Sequence, residues 1–126
     1  QIAGEITPAY SIISERIIDF VSRVNPKLKI ILLIRNPIER ALSHAVMNLV
    51  TRTDKNINEI SDKEFISHFN KHESLERGNY NKIISKWSKY FSDKQLFIGV
   101  YEKIEHNPKE LLNDIFSSIA RFMSLG

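Results

Sequence analysis

The sequence predicts an α/β fold in which a parallel sheet is flanked by helices. Two uninterrupted apolar runs with β-branched residues, Lys29 to Arg35 (KIILLIR) and Gln95 to Tyr101 (QLFIGVY), read as strands buried on both faces. Between and beyond them, apolar residues recur at helical spacing. Most of these helical stretches are announced by residues suited to a helix start.

In chain order, Gln1 to Ile6 offer a third strand. Thr7-Pro8 then sets a capping hydroxyl before a proline suited to the first helical position. Ile13, Ile17, Val21 and Val24 follow at helical spacing up to Asn25-Pro26. After the first strong strand, Asn36 can cap, Pro37 can open a helix, and Glu39 can close a capping box. That helix is expected to reach about Thr51, with Ala41, Leu42, Ala45, Val46 and Leu49 on its apolar side. Residues 51–60 (TRTDKNINEI) are polar and aperiodic and read as a surface loop. Ser61 and Glu64 form a capping box for a short helix ending near Asn70, and Glu76-Arg77-Gly78-Asn79 reads as a turn. Tyr80, Ile83, Ile84, Trp87, Tyr90 and Phe91 make an apolar helical stripe before the second strand. Asn107-Pro108 opens the closing helix, with Leu111, Leu112, Ile115, Phe116, Ile119 and Phe122 on its apolar side. Two strong strands make a thin sheet with open apolar edges. The expectation is a single partial domain over 1–126 whose remainder lies outside these residues, most simply on the N-terminal side.

Composition narrows the chemistry. The chain has 126 residues, 18 Lys and Arg against 15 Asp and Glu, a formal net charge of +3, and no cysteine. Disulfides, zinc–thiolate sites and a cysteine nucleophile are thereby excluded. A non-catalytic basic α/β module binding a nucleotide, RNA or another polyanion is the alternative reading; the basic residues are scattered rather than clustered, and no aromatic strand motif of an RNA-binding sheet is present, so a nucleic-acid partner is not expected. None of Gly4, Gly78, Gly99 and Gly126 stands in the spacing of a Walker-type cradle, which counts against a P-loop nucleotide kinase. The longest apolar run, Ile30 to Ile34, is too short to span a bilayer.

In a parallel α/β sheet, ligands bind beyond the carboxyl ends of the strands. Arg35 ends the first strong strand, and the helix behind it presents backbone N–H groups and a positive dipole end to an anion. A guanidinium is a planar fork matched to phosphate oxygens. Ser43 lies eight positions on, about two helical turns, where its hydroxyl can add a hydrogen bond. Arg40 lies on a neighbouring face. The plainer alternatives are a carboxylate partner for Arg35 and an ordinary surface position for Ser43. His68 and His72, at i and i+4 with Glu64 one turn earlier, are either metal ligands or a solvated face, and the spacing is not H-E-x-x-H. His44 points elsewhere on its helix than Ser43. Trp87 reads as core before it reads as a base-stacking platform.

Three segments together resemble the PAPS-dependent sulfotransferases (PAPS is 3′-phosphoadenosine 5′-phosphosulfate), nearest to the heparan-sulfate-type and bacterial members. KIILLIRNPIERALSHAVMNL is similar to their 3′-phosphate-binding segment, an apolar strand followed by R-x-P-x-x-R-x-x-S. RGNYNKIISKWSKYFSDKQLFIGVYEKIEHNPKELLNDI resembles their Gly-x-Tyr, Trp-bearing helix, Gln-Leu strand, Glu and closing Pro-helix. GEITPAY resembles Glu-x-[Ser/Thr]-Pro-x-Tyr. The resemblance covers the chain except residues 51–74. It implies a P-loop NTPase-like sulfotransferase fold, incomplete here, that passes a sulfuryl group from PAPS to an acceptor hydroxyl and leaves PAP (3′-phosphoadenosine 5′-phosphate), without a required metal. By the same resemblance, Arg35 and Ser43 would bind the 3′-phosphate, and Glu5 would be the general base. Read alone, Glu5 is an exposed strand-end carboxylate or a helix N-terminal charge. Arg77 and Tyr80 would border the acceptor cleft, or else form a turn followed by an inward-packed tyrosine. Glu102 matches a structural Glu of the family. The nearest relatives take carbohydrate hydroxyls, so a carbohydrate acceptor is implied. Two departures stand out: Ile6 replaces a usual Lys, and the 5′-phosphosulfate loop with its Lys would lie before Gln1. The chain alone is therefore expected to be inactive. A Gly- and Lys-rich loop would lie beyond Gly126. With no anchor and no cysteine, a bacterial cytoplasmic protein is the simpler expectation, with a Golgi-lumenal domain as the alternative.

Overall fold

The computed structural model describes residues 3–123. Its sheet consists of β1 (Ile30–Ile34) and β2 (Leu96–Val100), paired in parallel from Ile30 opposite Leu96 to Ile34 opposite Val100. The ladder extends at both ends: Ile30 N–H donates to Gln95 O (2.8 Å), and Tyr101 N–H to Ile34 O (2.8 Å). Helix α1 (Glu15–Val24) precedes β1. The crossover holds α2 (Pro37–Val46), α3 (Asp62–Phe69), α4 (His72–Gly78) and α5 (Tyr80–Ser88). After β2 come α6 (Lys103–His106) and α7 (Pro108–Met123).

Helices cover both sheet faces, as expected for an α/β fold. On one side, Ile18 of α1, Ile83 and Trp87 of α5, and Phe91 form the core against which Leu28, Ile30 and Leu32 pack. On the other, α7 packs against β2. A methyl at Gly99 would stand 2.8 Å from Leu33 Cδ2 and 3.1 Å from Leu111 Cδ1, so the missing side chain is what admits Leu111 to the strand.

Burial along β1 alternates instead of being continuous, and Ile31, Leu33, Ile98 and Val100 remain exposed. Each strand of a two-stranded sheet is an edge, and each helical layer covers part of one face. The third strand expected over residues 1–6 is not formed at 3–6; residues 1 and 2 lie outside the described residues.

The helix expected from Thr7-Pro8 is broken. Pro8–Ile12 is a 3₁₀ turn, Ile13 is extended, and α1 begins only at Glu15. Lys86 Nζ donates to the Ile13 carbonyl, claiming an acceptor that a continuous helix would use internally. Thr7 caps nothing, because its hydroxyl donates to Glu5 (3.0 Å). Beyond α2 the chain continues as a π-helical turn, Met47–Thr51, before leaving the helix near the expected residue. Within the polar stretch 51–60, Asn56 and Glu59 form a second capping box around a 3₁₀ turn, Ile57–Glu59, and Ile60 is buried. The Ser61–Glu64 capping box forms as expected. Residues 76–79 are not a free turn: α4 runs through Gly78, and Asn79 caps α5 by accepting Lys82 N–H (3.2 Å). The side chain of Phe122 lies outside the described residues.

Candidate functional site

Side chains from two distant segments reach the carboxyl end of β1. Arg35 N–H donates to the Tyr80 hydroxyl (3.2 Å), and Asn36 N–H donates to Glu102 Oε1 (2.8 Å). Two successive peptides are thus held by side chains from the start of α5 and from the segment after β2. Parallel pairing places Tyr101 beside Arg35, and the guanidinium carbon stands 4.7 Å from the centre of the Tyr101 ring, in cation–π range.

Asn36 caps α2 as expected: its Oδ1 accepts from Ile38 N–H (3.0 Å) and Glu39 N–H (3.4 Å). Pro37 has no N–H, and Arg40 N–H goes to the Asn36 carbonyl (2.9 Å). The first turn of α2 therefore keeps no amide for an anion, contrary to the expectation of unpaired groups there, because the capping side chain is itself the acceptor. Glu39 does not close a capping box either, since Glu102 already takes the Asn36 amide. Its Oε2 lies 3.5 Å from Arg35 Nε. Arg35 Nε is buried and makes no hydrogen bond. An anion at this junction would be held by side chains. The Glu102 carboxyl sits below its usual range, first because Asn36 N–H donates to it, with the Arg35 charge adding to the effect.

Ser43 is exposed on α2. Glu5 is exposed as well, and its Oε1 accepts from the Tyr10 hydroxyl (2.8 Å) and the Thr7 hydroxyl (3.0 Å). These donors, Tyr10 above all, lower its pKa, and Glu5 raises that of Tyr10 in return. The 3₁₀ turn behind Glu5 packs against α4, the helix that carries Arg77. Arg77 is spent on Glu73 one turn away, through Nη2 (2.6 Å) and Nε (3.1 Å) to Oε1. Tyr80 packs inward against the core, with its hydroxyl at Arg35.

Two features were not anticipated. Arg40 Nη2 donates to the Ser74 carbonyl (2.7 Å) and so ties α2 to α4. His68 is not a surface residue: it is 2 % exposed, and α3 ends before His72 begins α4. The Asn48 amide nitrogen lies 3.0 Å from His68 Nε2 and 3.0 Å from His44 Nε2, and the two rings meet edge to face at 5.0 Å. Burial lowers both histidine pKa values, with His68 adding to the effect at His44 and Lys71 at His68. The i, i+4 spacing of His44 and Asn48 was the only sequence signal for this cluster. Beside it, Leu49, Lys63, Glu64, Ser67, His68 and Lys71 line an open depression of about 260 Å³ that includes neither Arg35 nor Ser43. Among the described residues no group of three or more His, Cys, Asp or Glu is placed to hold a metal ion.

A family model described as the sulfotransferase domain matches residues 7–123. The chain belongs to the sulfotransferase family. No curated protein and no solved structure matches it significantly. The sulfotransferase match takes in Arg35, Ser43, Arg77, Tyr80 and Glu102, and begins two residues after Glu5. Its α/β order with a parallel sheet is the one the strands and helices adopt. Among the described residues no helix of this sulfotransferase is long and apolar enough to cross a membrane.

Proposed function

We propose that this sulfotransferase takes PAPS as its sulfuryl donor and a carbohydrate hydroxyl as its acceptor, with Arg35 and Ser43 holding the donor's 3′-phosphate. The observation that carries this reading is the Arg35 side chain. It sits at the carboxyl end of a parallel strand, where α/β folds bind ligands, and its Nε is buried without a hydrogen bond. Glu39 Oε2, 3.5 Å away, pairs with it by charge without a hydrogen bond, and phosphate oxygens are the acceptors that a guanidinium fits best.

In the transfer step the acceptor oxygen bonds to sulfur as the sulfur–oxygen bond to the 5′-phosphate breaks in line. The electron pair leaves with PAP, and the acceptor proton passes to Glu5. The Tyr10 and Thr7 hydroxyls hold that carboxylate in place and lower its pKa. Arg77 would border the acceptor, whereas Tyr80, packed inward, supports the backbone of Arg35 instead.

Binding tests the donor reading. PAP is expected to raise the thermal midpoint of the chain more than ATP or a short RNA does. At a hundredfold excess over Kd a ligand adds about 2.7 kcal/mol. Arg35→Ala should cut the response to PAP down to that of a nucleotide without the 3′-phosphate, and Ser43→Ala should weaken it. An undiminished response in Arg35→Ala removes Arg35 from the site. A dominant, steeply salt-dependent response to RNA would favour a nucleic-acid-binding module instead.

A further inference from the structure

We infer that Tyr101 is a positioning residue for Arg35: its ring is a shelf that holds the guanidinium fork at the angle the 3′-phosphate requires. This rests on the donor reading above. The backbone of Arg35 is fixed on both sides: the Ile34–Arg35 peptide accepts from Tyr101 N–H at Ile34 O (2.8 Å) and donates from Arg35 N–H to the Tyr80 hydroxyl (3.2 Å), and the next peptide donates from Asn36 N–H to Glu102 Oε1 (2.8 Å). Those bonds locate the Cα and leave the long side chain free to turn. Two groups oppose that freedom. Glu39 Oε2, at 3.5 Å from Nε, is on the exposed side of the pair. The guanidinium carbon lies over the Tyr101 ring, 4.7 Å from its centre.

The two differ in what they leave open. A carboxylate competes for the N–H groups that an anion needs. A ring carries no charge and no carboxylate oxygen, so it does not hold the N–H groups against an oxygen acceptor. This contact therefore orders the fork without occupying it, and binding loses less side-chain freedom. The parallel register supplies this arrangement, since Tyr101 directly follows the residue paired with Ile34.

The test compares PAP with adenosine 5′-monophosphate, which lacks only the 3′-phosphate, by calorimetric titration of the chain. Tyr101→Leu should reduce the preference for PAP about two- to tenfold. Tyr101→Phe, which keeps the ring, should restore it. In an Arg35→Ala background, Tyr101→Leu should have no further effect on PAP. The ligand-free thermal midpoint checks the fold of each variant, and Tyr101→Met serves in place of a leucine variant that does not fold. A preference that survives both Tyr101→Leu and Tyr101→Met overturns the role of Tyr101 while leaving the donor reading intact. A further loss in the Arg35→Ala background shows that Tyr101 acts independently, and also overturns it. A wild-type chain that does not distinguish the two nucleotides overturns the donor reading itself, and this inference with it.

Discussion

Arg35 stands between a tyrosine ring, a carboxylate and the phosphate proposed for it, and these neighbours are not equivalent. Glu39 lies one turn along α2 at 3.5 Å, with its side chain 56 % exposed. An exposed pair at this spacing contributes only a few tenths of a kcal/mol. Phosphate, with more charge and several acceptors, should displace it. Glu39→Gln is therefore expected to tighten PAP binding, by about twofold in low salt and less in high salt, as read by calorimetric titration. Weaker binding in this variant would mean that Glu39 helps to orient the arginine. The strand end at Arg35 and the Asn-Pro helix start were legible in the sequence because both are local. The role of Glu102 at the Asn36 amide was not, because it joins residues 66 positions apart. The same long-range bond explains why the expected Glu39 capping box does not form.

Helices α2, α3 and α4 meet around His44, Asn48 and His68, a contact no local pattern announced. A histidine beside charged neighbours on a short polar helix reads as solvated; packing of α3 against α2 buries it. The end of helix α4, residues 76–78, reads as part of a turn for a related reason. HESLERG has no apolar stripe, and its helix is held from outside, by the Pro8–Ile12 turn and by Arg40 reaching Ser74. The charged groups acting on the two imidazoles are Arg40 of α2, Arg77 and Glu73 of α4, and Lys71 between α3 and α4. Burial lowers both histidine pKa values from the ordinary 6.5, so the unfolded chain binds more protons once pH falls below that value. The contribution of the pair is fully present above about 6.5 and is lost as pH falls below it. The lowered carboxylates, Glu5, Glu15, Glu64, Glu73, Glu76 and Glu102, have an ordinary value of 4.5, so their loss comes at lower pH. Urea midpoints between pH 7.5 and 5 should fall with acidification. The slope should be shallower in His68→Asn and absent in the double variant with His44→Asn. Identical slopes in all three would show that the pair does not carry the effect.

Over the whole molecule, one small core joins the first helix to the last helix of the crossover. Ile18 is fully buried against Ile83, Trp87 and Phe91, with Ile30 and Leu32 of β1 packed beside them. Truncating a buried isoleucine to alanine costs about 2–5 kcal/mol, against a total stability of about 5–15 kcal/mol for an ordinary domain. Ile18→Ala should therefore lower the urea midpoint sharply, with unfolding followed by Trp87 fluorescence, and Ile18→Val should cost about 1 kcal/mol. A near-neutral alanine variant would mean that α1 does not belong to the cooperative unit.

The sequence by itself determined where both strands lie, most of the helix caps, the α/β class and the arginine at the strand end. Each of these is set within a few residues, by apolar runs, hydrogen-bond acceptors next to prolines, and spacing. Only the tertiary structure decided that Tyr80, Tyr101 and Glu102 converge on Arg35 and Asn36, that His68 is buried against His44, and that Thr7-Pro8 opens a short turn. Those outcomes depend on which distant group reaches a donor or acceptor first, and that is fixed by strand register and helix packing, not by neighbours in the chain.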